Sequence, residues 1–260
     1  MRKLFITLII ILTVNSAAYC DVFQGGVAKD GLLGKNRIYD SQTNAPISGA
    51  RVTMPQDNYK TYTDSNGNFP LDADVKGQTV MSVEKPGYKP FSLTLDKASA
   101  GKPIILGIEK TTAHDITVDT NMFHLGDNSF SELSANAGEF HVQSIGPYYS
   151  KKIRISTLSP GTHITLVIGS IIGVDTLMAK SMGQNKVVNA YASPPEVYFN
   201  GNKIADIQIN GDGQKIKVPY SLVKQNQLNE ITIKTGRNLT QTAYVDYDDI
   251  EFANLSVETK

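Results

Sequence analysis

The chain has no tryptophan, one cysteine, four histidines and no surplus of charge, with 25 Lys and Arg against 25 Asp and Glu in 260 residues. Without tryptophan, an aromatic platform for a flat ligand must be built from smaller rings, which counts against sugar binding. The only cysteine, Cys20, leaves everything from Asp21 onward without a disulfide, a zinc thiolate or a cysteine nucleophile. Balanced charge offers no electrostatic footprint for nucleic acid or an anionic membrane. His114, His124, His141 and His163 show neither H-x-H nor H-x-x-x-H spacing. There is no G-x-S-x-G elbow, no phosphate-cradling glycine loop and no helical periodicity beyond one turn at 220–225. No catalytic residue is assigned.

The N-terminus carries an address. Arg2 and Lys3 precede an apolar core over Leu4–Val14 and a small, polar exit over Asn15–Tyr19, which reads as a signal peptide over residues 1–20. That core is too short to span a bilayer, and no later stretch qualifies. Its removal leaves 23 basic and 25 acidic residues. The expected location is extracellular, periplasmic or at the cell surface. Ala17-Ala18-Tyr19-Cys20 also resembles a lipoprotein cleavage box, so a lipid anchor on Cys20 stands beside ordinary secretion, although Tyr19 is bulky for that motif.

What the sequence has in quantity is alternation. Within Val197–Gly236 the pairs Val197/Phe199, Ile207/Ile209, Ile216/Val218 and Ile231/Ile233 are separated by Asn200-Gly201, Asn210-Gly211 and Asp212-Gly213. Period-two apolar residues with hairpin chemistry between them indicate antiparallel strands with one buried face. The expected fold is all-β, two antiparallel β-sandwiches in tandem. After the signal peptide and a leader over 21–30, seven short strands fill 31–109. A polar joint at Lys110–Ala113 follows, then a longer set over 114–258, and the two halves are expected to fold separately. Segments 126–138 and 175–195 read as long loops, and a bulge is expected near Ala253, where the closing strand's alternation shifts from even to odd positions.

Asp40, Pro46-Ile47, Gly49-Ala50, Thr63-Asp64, Gly67, Phe69 and Gly87-Tyr88 fall in an order that resembles the carboxypeptidase regulatory-like domain. The resemblance implies a seven-stranded, transthyretin-like sandwich without catalytic residues. HLGDNSF (124–130), PGTHITLVIGSI (160–171), VYFNGNKI (197–204), LNEITIKTG (228–236) and YDDIEFANLSV (247–257) resemble the galactose-binding-like jelly roll of carbohydrate-binding modules. That implies a polysaccharide or glycan as ligand. A surface protein, or service to a separate catalytic chain, are the alternatives.

Two sets of candidate residues follow. Asp246, Asp248 and Asp249 are too close to stay unshared unless solvated or bridged by a cation. Structural calcium, with Asp127 as the ligand from an early loop, is weighed against a solvated strand end. For a glycan the candidates are Tyr148, Tyr149 and Tyr191. Adjacent strand residues face opposite ways, so one of Tyr148 and Tyr149 belongs to the core.

Overall fold

The computed structural model describes residues 35–127, 140, 142–185 and 187–260. The expected signal peptide, Cys20, the expected leader over 21–30, residues 128–138 of the first expected loop and His141 lie outside the described residues.

The chain from Asn36 is almost entirely strand. The first half holds β1 (Asn36–Asp40), β2 (Arg51–Met54), β3 (Tyr59–Tyr62), β4 (Asn68–Phe69), β5 (Thr79–Glu84), β6 (Phe91–Leu95) and β7 (Ile105–Ile108). A one-turn helix α1 (Lys97–Ala100) sits between β6 and β7, capped reciprocally by Asp96 and Ser99. The strands form two sheets, ordered β4-β1-β7 and β3-β2-β5-β6, as the seven-stranded reading expects. One pairing departs from it: β7 runs parallel to β1.

The second half holds β8 (Asp115–Leu125), β9 (Tyr148–Arg154), β10 (Ile164–Ile172), β11 (Glu196–Phe199), β12 (Asn202–Asp206), β13 (Gly211–Val218), β14 (Leu228–Lys234) and β15 (Ile250–Thr259). They make two antiparallel four-stranded sheets, β13-β10-β15-β8 and β12-β11-β14-β9, the strand number of a jelly roll. Between them lies a core of Ile, Val, Leu and aromatic side chains, with Phe199 and Phe252 fully buried.

Hairpin chemistry holds at Asn200-Gly201, where both residues take positive φ (50° and 79°) and join β11 to β12. It does not hold at Gly211-Asp212-Gly213. These residues lie inside β13, paired with Ser170 and Ile171 of β10, and the chain changes sheets just before them. The Asn210 side chain takes the Val174 N–H at 2.7 Å and thereby fixes that crossing. A second miss is α2 (Leu177–Ser181), inside the stretch expected to be loop, with Thr176 as its N-cap. The expected bulge is present: the β15–β8 register shifts between Ala253 and Leu255, and Asn254 has φ 59°.

The two sheets of the second half differ in how they are buried. In β14 the pattern alternates, with Ile231 and Ile233 inward and Glu230 and Thr232 outward. In β15, by contrast, the run from Ile250 to Leu255 is buried throughout, because β5 and β6 of the first half cover its outer face. Val80, Phe140, Ile172 and Ala253 form a small apolar cluster there. A methyl group on Gly169 would stand 2.5 Å from Ser92 Oγ of β6 and 2.6 Å from the Asn254 Cβ, so glycine makes room here for the first half. The two sandwiches therefore meet across a seam and are not joined by Lys110–Ala113 alone.

Candidate functional site

The seam is polar at its centre. Gln56, from a short 3-10 turn after β2, accepts hydrogen bonds from Thr79 Oγ1 (2.6 Å) and the Val80 N–H (2.8 Å) and donates to Glu251 of β15. Ser92 and Ser170 bond at 2.9 Å, Asn254 donates to Ser82 at 3.0 Å, and Asp212 takes both the Thr94 N–H and its hydroxyl. At the end near the joint, Lys89 meets Glu258 at 2.8 Å and Asp115 at 3.3 Å. Burial pushes the Glu251 carboxyl up to about 7, with His124 and Gln56 pulling the other way.

The acidic residues 246, 248 and 249 precede β15 rather than lying on it, and all three are buried. This corrects the solvated strand end. Asp246 Oδ2 accepts from Asn238 Nδ2 at 2.9 Å. Asp248 is buried against Asp175, whose N–H it accepts at 3.2 Å; burial and that second carboxylate hold its pKa well above the usual range. Asp249 Oδ1 meets His124 Nε2 at 3.0 Å and the Asp127 N–H at 3.1 Å. Burial also raises the Asp246 and Asp249 pKa values, and Asp127 adds to both effects.

Of the four expected calcium ligands, Asp246 is held by Asn238, Asp248 by Asp175 and Asp249 by His124 and the Asp127 N–H. Among the described residues no group of three or more His, Cys, Asp or Glu side chains could hold a metal ion. His124 is engaged on both ring nitrogens, by Asp249 and by the Val142 carbonyl at 2.9 Å. Burial favours the neutral ring, but these two acceptors outweigh it and raise its pKa. The pair braces the seam from inside and presents no open face to a substrate.

The exposed chemistry is on the opposite sheet. The outward face of β9, β14 and β11 floors an open groove of about 770 Å³, within the size range of small-ligand sites. Cross-strand register sets its rows. Tyr148, Lys234 and Glu196 stand side by side, and Ser150, Thr232 and Tyr198 form the next row. Arg237, Tyr247, Ser193 and Pro194 line one end. Glu196 is saturated, accepting from Lys203 Nζ at 2.9 Å and the Tyr198 hydroxyl at 2.7 Å. Lys234 Nζ lies 4.5 Å from the centre of the Tyr198 ring. A smaller cleft of about 230 Å³ opens beside the seam, near Arg51 and Asn121.

Of the candidate tyrosines, Tyr148 lies in the groove and is 59% exposed. Tyr149, 5% exposed, is the core member of the pair, against Phe123 and Phe252 with its hydroxyl on Asp119; strand alternation takes it off the ligand face. Tyr191 lies outside the groove, with Lys180 Nζ 3.9 Å from its ring centre. Lys234, Arg237 and Tyr247 escaped sequence reasoning. The outward positions of Leu228–Lys234 were legible from period two, but Arg237 and Tyr247 meet only through an isolated bridge in the folded chain.

Residues 35–118 match the family model of the CarboxypepD_reg-like domain. The match covers the first sandwich and runs past the polar joint into β8. The matched residues include Gln56, Ser82 and Ser92 of the seam. No curated protein matches the chain. A crystal structure from Bacteroides fragilis, provisionally described as a β-galactosidase, aligns with 70% of this chain at 15% identity and a TM-score of 0.26, and the chain spans 23% of that protein. Another, from Bacteroides fragilis NCTC 9343, is provisionally described as a membrane-associated protein of unknown function. It aligns with 87% of this chain and 96% of its own at 10% identity and a TM-score of 0.22. Scores this low carry no argument about fold or function.

Proposed function

We propose that this chain is an exported, non-catalytic module that binds polysaccharide in the groove on the β9-β14-β11 face. The observation that carries the reading is an exposed aromatic ring, Tyr148, set beside a row of hydroxyl and charged side chains on a rigid sheet. A sugar ring offers an apolar face to stack on such a ring and equatorial hydroxyls for polar neighbours at its edge. The jelly-roll resemblance of the second half and the signal-peptide pattern of residues 1–20 support the same reading. Calcium is given no part in it, since Asp246, Asp248 and Asp249 each accept hydrogen bonds within the fold.

Glycan-array binding and calorimetry on the chain test this. Binding should resist chelator and weaken at least about tenfold in Tyr148→Ala, the loss of one stacking contact. Unchanged affinity in that variant, or silence on every glycan, would overturn the reading. A protein partner is the second reading, favoured by Leu177, Met178 and Met182, which stand exposed on and beside α2. Turnover of any glycan would refute the non-catalytic part.

A further inference from the structure

We propose that the polysaccharide taken by this groove is acidic, a polymer of uronate residues whose carboxylate sits between Lys234 and Arg237. The inference rests on the groove being a glycan site and adds the chemical class. Both cations are exposed at the same end of the groove. Among the described residues, no carboxylate stands within ion-pair distance of either. Glu196, beside Lys234 on β11, already accepts from Tyr198 and Lys203, and these two bonds, helped by the charges of Lys203 and Lys234, hold its pKa below the usual carboxylate range.

The remaining acid of the groove, Glu230, accepts from the Ser150 hydroxyl at 2.8 Å. It is four residues along β14 from Lys234, about 13 Å at the rise of an extended strand. The groove is therefore uneven in charge: Lys234, Arg237 and the tyrosines stand at one end, where Glu196 is already paired with Lys203, and Glu230 stands towards the other. A neutral sugar would leave the Lys234 and Arg237 charges facing water. A carboxylate accepts two parallel bonds from the guanidinium fork and a third from the ammonium, while its ring lies against Tyr148.

Calorimetric titration of the chain with oligogalacturonate, oligomannuronate and oligoglucuronate, against methyl-esterified oligogalacturonate and a neutral galacto-oligosaccharide, decides the matter. Esterification removes the charge and keeps the ring, so the free acid should bind at least about tenfold more tightly than its ester. Arg237→Gln and Lys234→Met should each weaken the acid about tenfold, leave the ester unchanged and flatten the salt dependence. Equal binding of acid and ester overturns the acidic class. So does binding confined to neutral glycans or to sulfated glycans added as a further arm, and in those cases a loss in Tyr148→Ala would show that the groove reading survives. Silence on every oligosaccharide overturns both.

Discussion

The seam and the groove lie on opposite sheets of the same sandwich, and they handle charge in opposite ways. At the centre of the seam buried polar groups meet partners far away in sequence, as Gln56 and Glu251 do, 195 residues apart. In the groove the polar groups stand on one face of neighbouring strands, and the cations Lys234 and Arg237 stay exposed to solvent. Burial without partners is costly, so a covered face keeps only those polar groups that close a network. Solvent imposes no such demand on an open face, where charge is left over for a ligand. The acidic residues at 246–249 attract attention in the sequence but belong to the first kind, and the modest outward row of β14 belongs to the second.

The largest test of this contrast is Gln56→Leu. It strands the Val80 N–H and the Glu251 carboxylate in the seam, at roughly 1–3 kcal/mol each, so unfolding stability in urea at pH 7 should fall by about 4 kcal/mol. A loss under 0.5 kcal/mol would mean that the seam does not couple the halves. Expressing 28–110 and 114–260 apart asks the same question, and on the seam's account each piece should melt lower than the whole.

Next in size is the pH dependence of Glu251. Its carboxyl titrates at about 7 when folded against 4.5 as the reference value. The native state thus keeps a proton that the unfolded chain releases, and stability falls as pH rises from 4.5 towards 7. His124 acts in the same sense. Its raised pKa contributes stability that is complete below 6.5 and lost as pH climbs through the folded value. Glu258, held down to about 2 near Lys89, acts oppositely and loses its contribution as pH drops below 4.5. Chemical denaturation should therefore show greatest stability in mild acid. Glu251→Gln should match the parent at pH 5 and exceed it by about 3 kcal/mol at pH 8, the free-energy equivalent of its shift.

The smallest expected effect completes the contrast. Tyr148→Ala and Arg237→Gln should leave unfolding stability within about 0.5 kcal/mol, as exposed substitutions do, while both change glycan affinity. A large drop in melting temperature in either would move the groove residues into the structural class.

Much of the fold was legible before any coordinate. Period-two runs, Asn200-Gly201 and the even-to-odd shift near Ala253 report local geometry, which depends on backbone sterics and on which face is buried. The order of turn residues from Asp40 to Tyr88 marked the first sandwich in the same way. The one-turn helix α2 escaped because five residues are too few to show a helical period. Gly211–Gly213 misled because the composition of a tight turn also suits a strand that enters at a sheet crossing.

What the sequence by itself determined is therefore most of the strands and the place of the bulge, both encoded over a few neighbouring residues. The tertiary structure alone decided which polar residues are spent on the fold and which stay free. His124 and Asp249, or Lys234 and Arg237, look alike as residue types. Whether a second sheet covers them is fixed by contacts more than a hundred residues distant, and burial, not identity, sets the cost of leaving a charge unpaired.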